Sequence, residues 1–287
     1  MNGILSKYTI GSIKRELTQM FKEKGLETPD LDARLIVMAS MGLDHADLIA
    51  RSEERLTRDM FHSIKSLAWR RKSGEPIDHI LGYRDFYGRR FHITEDVLSP
   101  RPETEGLIDL ALKYYSADSA VNCLDLGTGS GAIMLTLLAE RHGWQGVASD
   151  VSQAALDVAK INATRLNLVS RLGFKHSSWF EGIEGEFDLI VSNPPYIDSA
   201  HMAHLSVEVK DYDPDLALFG GEDGLEAYRE IISRAPEFLT RGGRLILEIG
   251  YDQGAAVAAL LGEYGFFDVQ CHKDLSAHDR IMSGVCE

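Results

Sequence analysis

From about residue 120 the chain alternates short apolar runs with helical segments, and this alternation constrains the fold more than any other feature. Apolar runs bounded by glycine or polar residues are typical of strands, and the stretches between them have helical spacing. Strands are expected at residues 121–126, 146–149, 174–176, 187–192 and 244–249, and helices at 132–140, 154–166 and 225–239. Alternating strands and helices favour a parallel sheet covered on both faces. We therefore predict an α/β fold with a doubly wound, Rossmann-like sheet.

The first 82 residues have a different pattern, in which apolar residues at helical spacing lie between capping residues and glycines. The markers of four helices are Ile13, Leu17, Met20, Phe21 and Gly25, then Pro29 and Gly42, then Asp44, then Thr57 and Gly74. Aromatic and β-branched residues around Gly88 indicate a hairpin. We predict a small helical bundle over residues 1–82, a β-hairpin linker over 83–98 and the α/β domain over 99–287.

A glycine-rich loop lies where the first strand of the α/β domain meets its first helix. Its residues are Asp125, Leu126, Gly127, Thr128, Gly129, Ser130 and Gly131. Glycines let the backbone approach a ligand closely, and ligands bind at the carboxyl ends of the strands in such sheets. Asp150 ends the next strand, where its carboxylate can accept hydrogen bonds from two ribose hydroxyls. The sequence therefore predicts a nucleotide-type cofactor at this loop.

Two cofactors are compatible with the loop. Gly127, Gly129 and Ala132, followed by Asp150, also satisfy the dinucleotide fingerprint, so a nicotinamide cofactor is one alternative. We favour S-adenosylmethionine, because the Asp125 carboxylate directly before the loop can hold a loop amide or the ammonium group of a methionine tail. The turn that ends the fourth strand supports the same choice.

That turn has the sequence Asn193-Pro194-Pro195-Tyr196. Neither proline has an N–H and both have φ fixed, so the backbone is rigid and its carbonyls are exposed. The Asn193 amide, the Pro194 carbonyl and the Tyr196 ring can then face one planar group, which would be an amino or amide nitrogen presented for modification. The alternative interpretation is a Pro-Pro pair that only ends the strand.

Composition excludes several other classes of protein. The formal charge of −14 makes the chain poorly suited to coating nucleic acid. Apolar stretches stay short of the ~20 residues of a membrane span, and the start lacks a secretory signal. Three cysteines are too few and too scattered for a disulfide framework. We expect a cytoplasmic protein with no stable nucleic-acid or membrane partner and no bound metal.

Several segments together resemble one known family in their order along the chain. They are residues 74–77, 80–82, 100–105, 125–131, 193–196, 217–225, 248–250, 253–254 and 279–280. Over nearly its whole length the chain resembles the HemK/PrmC family of protein-(glutamine-N5) methyltransferases. Two positions depart from the family's usual pattern: Ser178 stands where an aspartate is common, and Asp213 where a glutamate is common.

The resemblance implies a class I S-adenosylmethionine-dependent methyltransferase domain with a seven-stranded sheet behind a helical N-terminal domain. It implies that the protein methylates the glutamine of the Gly-Gly-Gln motif in class 1 peptide chain release factors, and we expect a monomer. The cofactor would contact Asp125, Gly127, Thr128, Gly129, Ser130, Gly131, Asp150, Trp179 and Asn193. The glutamine would contact Asn193, Pro194, Pro195 and Tyr196, of which Asn193, Pro194 and Tyr196 would take part in catalysis.

Two other functions use the same residues. A nucleic-acid amino-methyltransferase would present adenine or guanine to the Asn-Pro-Pro-Tyr turn, but it would need a basic region that reads its target. A non-catalytic adaptor would keep the fold without the chemistry. The intact glycines, Asp150 and the Asn-Pro-Pro-Tyr turn argue against the adaptor.

Overall fold

The computed structural model describes residues 4–287, which divide into two compact units. The first unit ends at Gly82 and the second runs from Tyr83 to Glu287. The elements of the first unit are β1 (Ile4–Thr9), α1 (Ile10–Lys24), α2 (Pro29–Met41), α3 (His45–Ala50), β2 (Arg55–Thr57), α4 (Arg58–Lys72) and α5 (Ile77–Leu81). The predicted N-terminal helical bundle is confirmed. The antiparallel pairing of β1 with β2 was not predicted.

The helix ends of the first unit follow from local capping. Thr9 and Ser12 form a reciprocal capping box at the start of α1, and the Thr57 side chain accepts the Met60 N–H at the start of α4. Gly25 and Gly42 end α1 and α2 in the left-handed conformation, with φ of 81° and 64°. The apolar faces of these helices form a core of their own.

The second unit is an α/β domain. Its strands are β3 (Tyr83–Phe86), β4 (Arg89–His92), β5 (Asn122–Leu126), β6 (Gln145–Asp150), β7 (Leu172–His176), β8 (Phe187–Ser192), β9 (Leu239–Glu248), β10 (Phe267–Lys273) and β11 (Asp279–Val285). Its helices are α6 (Glu105–Tyr114), α7 (Ala132–Glu140), α8 (Gln153–Arg165), α9 (Ser199–Met202), α10 (Val207–Tyr212), α11 (Asp215–Leu218), α12 (Glu226–Arg234) and α13 (Gly254–Glu263), with 3-10 turns at Pro102–Thr104, Val169–Arg171 and Ala235–Glu237.

Seven strands form one sheet in the order β10-β11-β9-β8-β5-β6-β7. The five strands from β5 to β9 are parallel, and β11 runs antiparallel to both of its neighbours. Two apolar layers cover the sheet, one on each side. The predicted α/β class with a seven-stranded sheet is confirmed, and the carboxyl ends of the parallel strands meet at one edge.

One predicted helix ends earlier than expected, and the predicted hairpin forms. The helix expected over residues 225–239 ends at Arg234, because Pro236 cannot donate a helical hydrogen bond and clashes with the preceding turn. The hairpin expected as a linker forms from β3 and β4, and its Phe86 and Phe91 are buried in the core of the second unit. Within residues 4–287, every helix falls short of the length and apolar character of a bilayer span.

Candidate active site

A cavity of about 390 Å³ opens at the carboxyl ends of β5, β6 and β8. The predicted residues on its wall are Gly127, Thr128, Gly129, Ser130, Asp150, Trp179, Asn193 and Pro195. Asp125 and Gly131 lie behind this wall, where Asp125 is fully buried. The fold therefore brings the glycine loop, the end of β6 and the Asn-Pro-Pro-Tyr turn to one cavity, although they are far apart in sequence.

The glycine loop is held in a conformation that other residues rarely adopt. Gly127, Gly129 and Gly131 have φ of 70°, 55° and 81°. At Gly131 an added Cβ would lie 2.9 Å from the end of the Leu135 side chain, which would have to move, so the positive φ is the main reason for glycine at this position. The Asn162 side chain donates to the Ser130 carbonyl at 2.9 Å, which ties the loop to α8.

Asp125 stabilises the glycine loop through a hydrogen bond with Thr128. Its Oδ2 accepts a hydrogen bond from the Thr128 hydroxyl at 2.6 Å. Its Oδ1 has no hydrogen-bond partner of good geometry within residues 4–287. Complete burial raises the pKa of Asp125 to about 7, because removal from water disfavours the charged form. Asp125 therefore holds the Thr128 hydroxyl of the loop, and its contact with a loop amide or with the ammonium group of a methionine tail stays a prediction.

Asp150 joins the glycine loop to the start of α8. Its Oδ2 accepts the Gly129 N–H at 2.9 Å and its Oδ1 accepts the Ser152 N–H at 2.8 Å. Burial raises the pKa of this carboxyl, and the backbone N–H donors oppose that shift. A carboxylate has about four acceptor positions, so two remain for ligand hydroxyls. Because Asp150 also lines the cavity, it fits a ribose diol.

Trp179 forms part of the wall through an unusual backbone. Its φ of 47° is rare for a bulky residue, and the Ser177 hydroxyl supports it by donating to the carbonyls of Trp179 and Glu181 at 2.9 and 2.6 Å. Ser178 is exposed on the same wall. The Trp179 ring, Ile133 and Ala155 add apolar surface to a cavity that also offers glycine amides and Asp150. These residues together fit an adenosyl group with a charged tail.

The Asn-Pro-Pro-Tyr turn is fixed from behind by residues that sequence analysis listed only within matching segments. The Gln253 side chain donates to the carbonyls of Tyr196 and Gly224 at 3.0 and 3.1 Å. An added Cβ on Gly220 would lie 2.7 Å from the Pro195 carbonyl oxygen, and one on Gly224 would lie 2.5 Å from that of Tyr196. Only glycine fits at these two positions, and this explains the glycines of the 217–225 segment.

A second cavity of about 270 Å³ adjoins the first, and Asn193 is one of three residues that line both. The other two shared residues are Leu98 and Ala217, and Tyr196 lines the second cavity. Pro194 is buried and lines neither. The ionisable residues of the second cavity are Arg101, Glu103, Tyr196, Glu248 and Arg280. Desolvation raises the pKa of Tyr196 to about 12, so its hydroxyl stays protonated.

Glu248 is a buried carboxyl of the second cavity to which sequence analysis gave no role. It is 1% exposed, and its Oε2 accepts a hydrogen bond from the Thr104 hydroxyl at 2.5 Å. Burial raises its pKa to about 7. The signal available in the sequence was that Thr104 and Glu248 fall in two matching segments, 100–105 and 248–250. In the region that the structure describes, no cluster of three or more His, Cys, Asp or Glu side chains could hold a metal ion.

Comparison with known proteins agrees with this geometry. A family model described as PrmC N-terminal domain matches residues 13–82, and one described as Methyltransferase small domain matches residues 109–209. A methyltransferase structure from Pyrococcus furiosus covers 69% of this chain and 89% of its own, with 20% identity and a TM-score of 0.53. This likeness extends to the fold, which is that of class I methyltransferases.

Two curated relatives match nearly the whole chain. The release factor glutamine methyltransferase of Cereibacter sphaeroides is 45% identical over 259 residues, which are 90% of this chain and 92% of the relative. That of Caulobacter vibrioides is 40% identical over 265 residues, 92% of each chain. At this identity and coverage, the chain belongs to the family of release factor glutamine methyltransferases.

Proposed function

We propose that this protein transfers a methyl group from S-adenosylmethionine to the side-chain amide nitrogen, N5, of a glutamine in a protein substrate. The substrate glutamine is that of the Gly-Gly-Gln motif in class 1 peptide chain release factors. The observation that carries the proposal is the position of Asn193, which lines both the first cavity and the second. The first cavity suits the cofactor, the second suits the glutamine, and Asn193 lies where the two would meet.

The residues of the turn have to align a weak nucleophile. A glutamine amide nitrogen is a poor nucleophile because its lone pair is delocalised into the carbonyl. The cofactor supplies an electrophilic methyl group on a sulfonium, which leaves as a neutral sulfide. The Asn193 side-chain oxygen and the Pro194 carbonyl accept the two amide N–H bonds, and Tyr196 packs on the amide plane. Orientation of this kind contributes several kcal/mol, and fixed dipoles add to it.

The same two acceptors also bear on how the substrate amide nitrogen loses a proton. Methyl transfer forms a bond to nitrogen, so positive charge grows there and makes its N–H acidic. The Asn193 and Pro194 oxygens stabilise that charge as it develops, and the proton leaves to solvent once the methyl group is attached. A dedicated general base is not required.

Charge argues against the nucleic-acid alternative. A protein that binds adenine or guanine within a strand gains affinity by neutralising phosphates with lysine and arginine. This chain has a formal charge of −14. Its curated relatives at 40–45% identity are named for release factor glutamine, which favours a protein acceptor.

The same proposal includes the partner, the compartment and the oligomeric state. Class 1 release factors are the protein partners, which places the activity in the cytoplasm, where translation ends. The protein acts as a monomer. Its first unit, which ends at Gly82, docks the release factor.

The experiment is mass spectrometry of a purified class 1 release factor after incubation with this protein and isotopically labelled S-adenosylmethionine. We expect one labelled methyl group on the glutamine of the Gly-Gly-Gln peptide. A release factor in which that glutamine is replaced by glutamate is the matched control and should stay unlabelled. Label on another residue, or no label despite measured cofactor binding, would contradict the proposed acceptor.

A further inference from the structure

We propose that Thr104 and Glu248 are positioning residues that fix the side-chain amide of Asn193, so that its oxygen faces the reacting nitrogen. The inference rests on the proposed function, because that function gives the Asn193 oxygen its task. It also gives a role to two segments, 100–105 and 248–250, whose side chains the methyl transfer itself does not use.

Sheet pairing places Glu248 beside Asn193. Strands β8 and β9 are parallel neighbours, and Ser192 pairs with Leu247 in their register. The next residues are Asn193, directly after β8, and Glu248, the last residue of β9. Neighbouring strands lie about 5 Å apart, so these two residues are close to each other. Asn193 and Glu248 line the same cavity, the Asn193 side chain lowers the pKa of the Glu248 carboxyl, and the Thr104 hydroxyl donates to Oε2 of that carboxyl at 2.5 Å.

The hydrogen-bonding chemistry of Glu248 determines which of its two orientations the Asn193 side-chain amide adopts. A carboxamide has an NH₂ donor and an oxygen acceptor of nearly the same shape, so packing alone does not distinguish its two orientations. An ionised carboxylate only accepts hydrogen bonds. When the Asn193 nitrogen donates to Glu248, the Asn193 oxygen points the opposite way and is available to the substrate amide. Thr104 holds the carboxylate in place for this contact.

Protonation of Glu248 would reverse the arrangement, because a neutral carboxyl offers an O–H donor to the Asn193 oxygen. The groups that face Glu248 are Arg280 on β11, Glu103 beside α6, Tyr196 after β8, Tyr228 on α12 and Arg101, which lines the same cavity. Burial raises the pKa of Glu248 to about 7, Arg280 opposes the shift and Glu103 adds to it. The asparagine orientation should therefore change near neutral pH.

Nuclear magnetic resonance of the cofactor-free protein tests this change without any turnover. The chain has five asparagines, so protein labelled with ¹⁵N only at asparagine gives few side-chain signals. The Asn193 signal is assigned from its absence in Asn193→Ser. We expect it to titrate with a midpoint near pH 7 and to stop titrating in Glu248→Gln. An Asn193 signal that stays constant across this pH range, or titrates equally in Glu248→Gln, would overturn the proposal.

Turnover is then compared at about pH 8, where the carboxyl is ionised, with saturating cofactor. Glu248→Leu removes the acceptor and should lower kcat roughly 10- to 100-fold, because a misplaced group near the reacting atoms has effects of this size. Glu248→Gln adds an NH₂ donor where the protonated carboxyl has its O–H, so it should also lower kcat at pH 8, but it keeps an oxygen acceptor and should retain more activity than Glu248→Leu. The Kd of the cofactor should change less than about threefold in both.

Thr104→Val should lower kcat several-fold, and Thr104→Ser, which keeps the hydroxyl, should restore it. The matched control is Thr136→Val on α7, which removes a buried hydroxyl that has no hydrogen-bond partner among residues 4–287 and should leave kcat unchanged. A natural kcat in Glu248→Leu, together with confirmed release factor methylation, would overturn the positioning role alone. Absence of methylation by the natural protein would overturn the proposed function, while the Asn193 titration would still test the contact with Glu248.

Discussion

The two cavities that share Asn193 are built by different means. The first depends on backbone geometry, with Gly127, Gly129 and the N–H groups that Asp150 accepts. The second depends on ionisable side chains such as Glu248 and Arg280, which are far apart in sequence but lie on the neighbouring strands β9 and β11. A backbone-built site occupies a short stretch of sequence and tolerates few residue types. A side-chain-built site is assembled only by the fold, and its properties depend on burial and charge.

The substitution with the largest expected effect is Asn193→Ala, which removes a side chain that lines both cavities. We expect kcat to fall roughly 10²- to 10³-fold, the size found when one fixed polar group is removed from an active site. The Kd of S-adenosylmethionine should change less than about threefold. Single-turnover rates and calorimetric titration measure the two quantities. Equal turnover would remove Asn193 from the mechanism, and an equal loss in cofactor affinity would assign it to the first cavity.

Gly224→Ala tests how strictly the Asn-Pro-Pro-Tyr turn depends on its glycine support. Gly224 has φ of 72°, and its Cβ would lie 2.8 Å from the Gln253 side-chain nitrogen in addition to its clash with Tyr196. We expect the free energy of unfolding to fall by about 2–4 kcal/mol, from strain plus overpacking. Gly242→Ala is the control, with φ of 78° and open space around it, and should cost about 1–2 kcal/mol. Urea unfolding measures the free energy of unfolding of both variants. Equal losses would show that the residues around Gly224 move and relieve the clash.

Asp150→Asn addresses the first cavity alone. The substitution keeps the shape but removes the charge that the Gly129 and Ser152 N–H groups and the ligand hydroxyls share. A hydrogen bond to a charged group contributes about 1.5–3 kcal/mol, so the cofactor Kd should rise roughly 10- to 100-fold. With saturating cofactor, kcat should stay within a few-fold. A large fall in kcat with little change in Kd would mean that Asp150 acts on the reacting atoms.

The smallest effect concerns the pH dependence of stability. The pKa of Asp125 is about 7 in the folded protein, above the value of about 3.9 in an unfolded chain. The folded state therefore binds more protons, and the free energy of unfolding falls as the pH rises towards 7. One such group contributes a fall of about 1 kcal/mol between pH 6 and 7.

Asp125→Asn should remove that contribution, as measured by urea unfolding at the two pH values. Asp157→Asn is the control, because this exposed carboxyl has a lowered pKa and is ionised in both states over this range. If Asp125→Asn keeps the full fall, another group such as Glu248 carries the pH dependence, and the electrostatics of the second cavity would then dominate stability.

Local patterns predicted the parts of the fold whose signals are continuous. The helix over residues 132–140 and the strand over 187–192 have the predicted bounds, since apolar residues dominate each of them. Strand β2 has three residues, too few for a period, and β10 is mostly exposed without regular alternation. Glu248 follows an apolar run and looks like an ordinary polar strand end in sequence. Only the pairing of β9 with β8 shows that it is buried beside Asn193.

The position of β11 has a consequence for how the site forms on the ribosome. Strand β11 lies between β9 and β10, so β10 emerges before the strand that joins it to the sheet. The wall of the first cavity is complete in sequence by Phe219, whereas the second requires Glu248 and Arg280, and the Arg280 carbonyl accepts the Ile249 N–H. Synthesis runs from the N-terminus, so the residues of the first cavity are made well before Glu248 and Arg280, which the second cavity requires. Because domains fold as units, the second cavity forms only after β11 has been made.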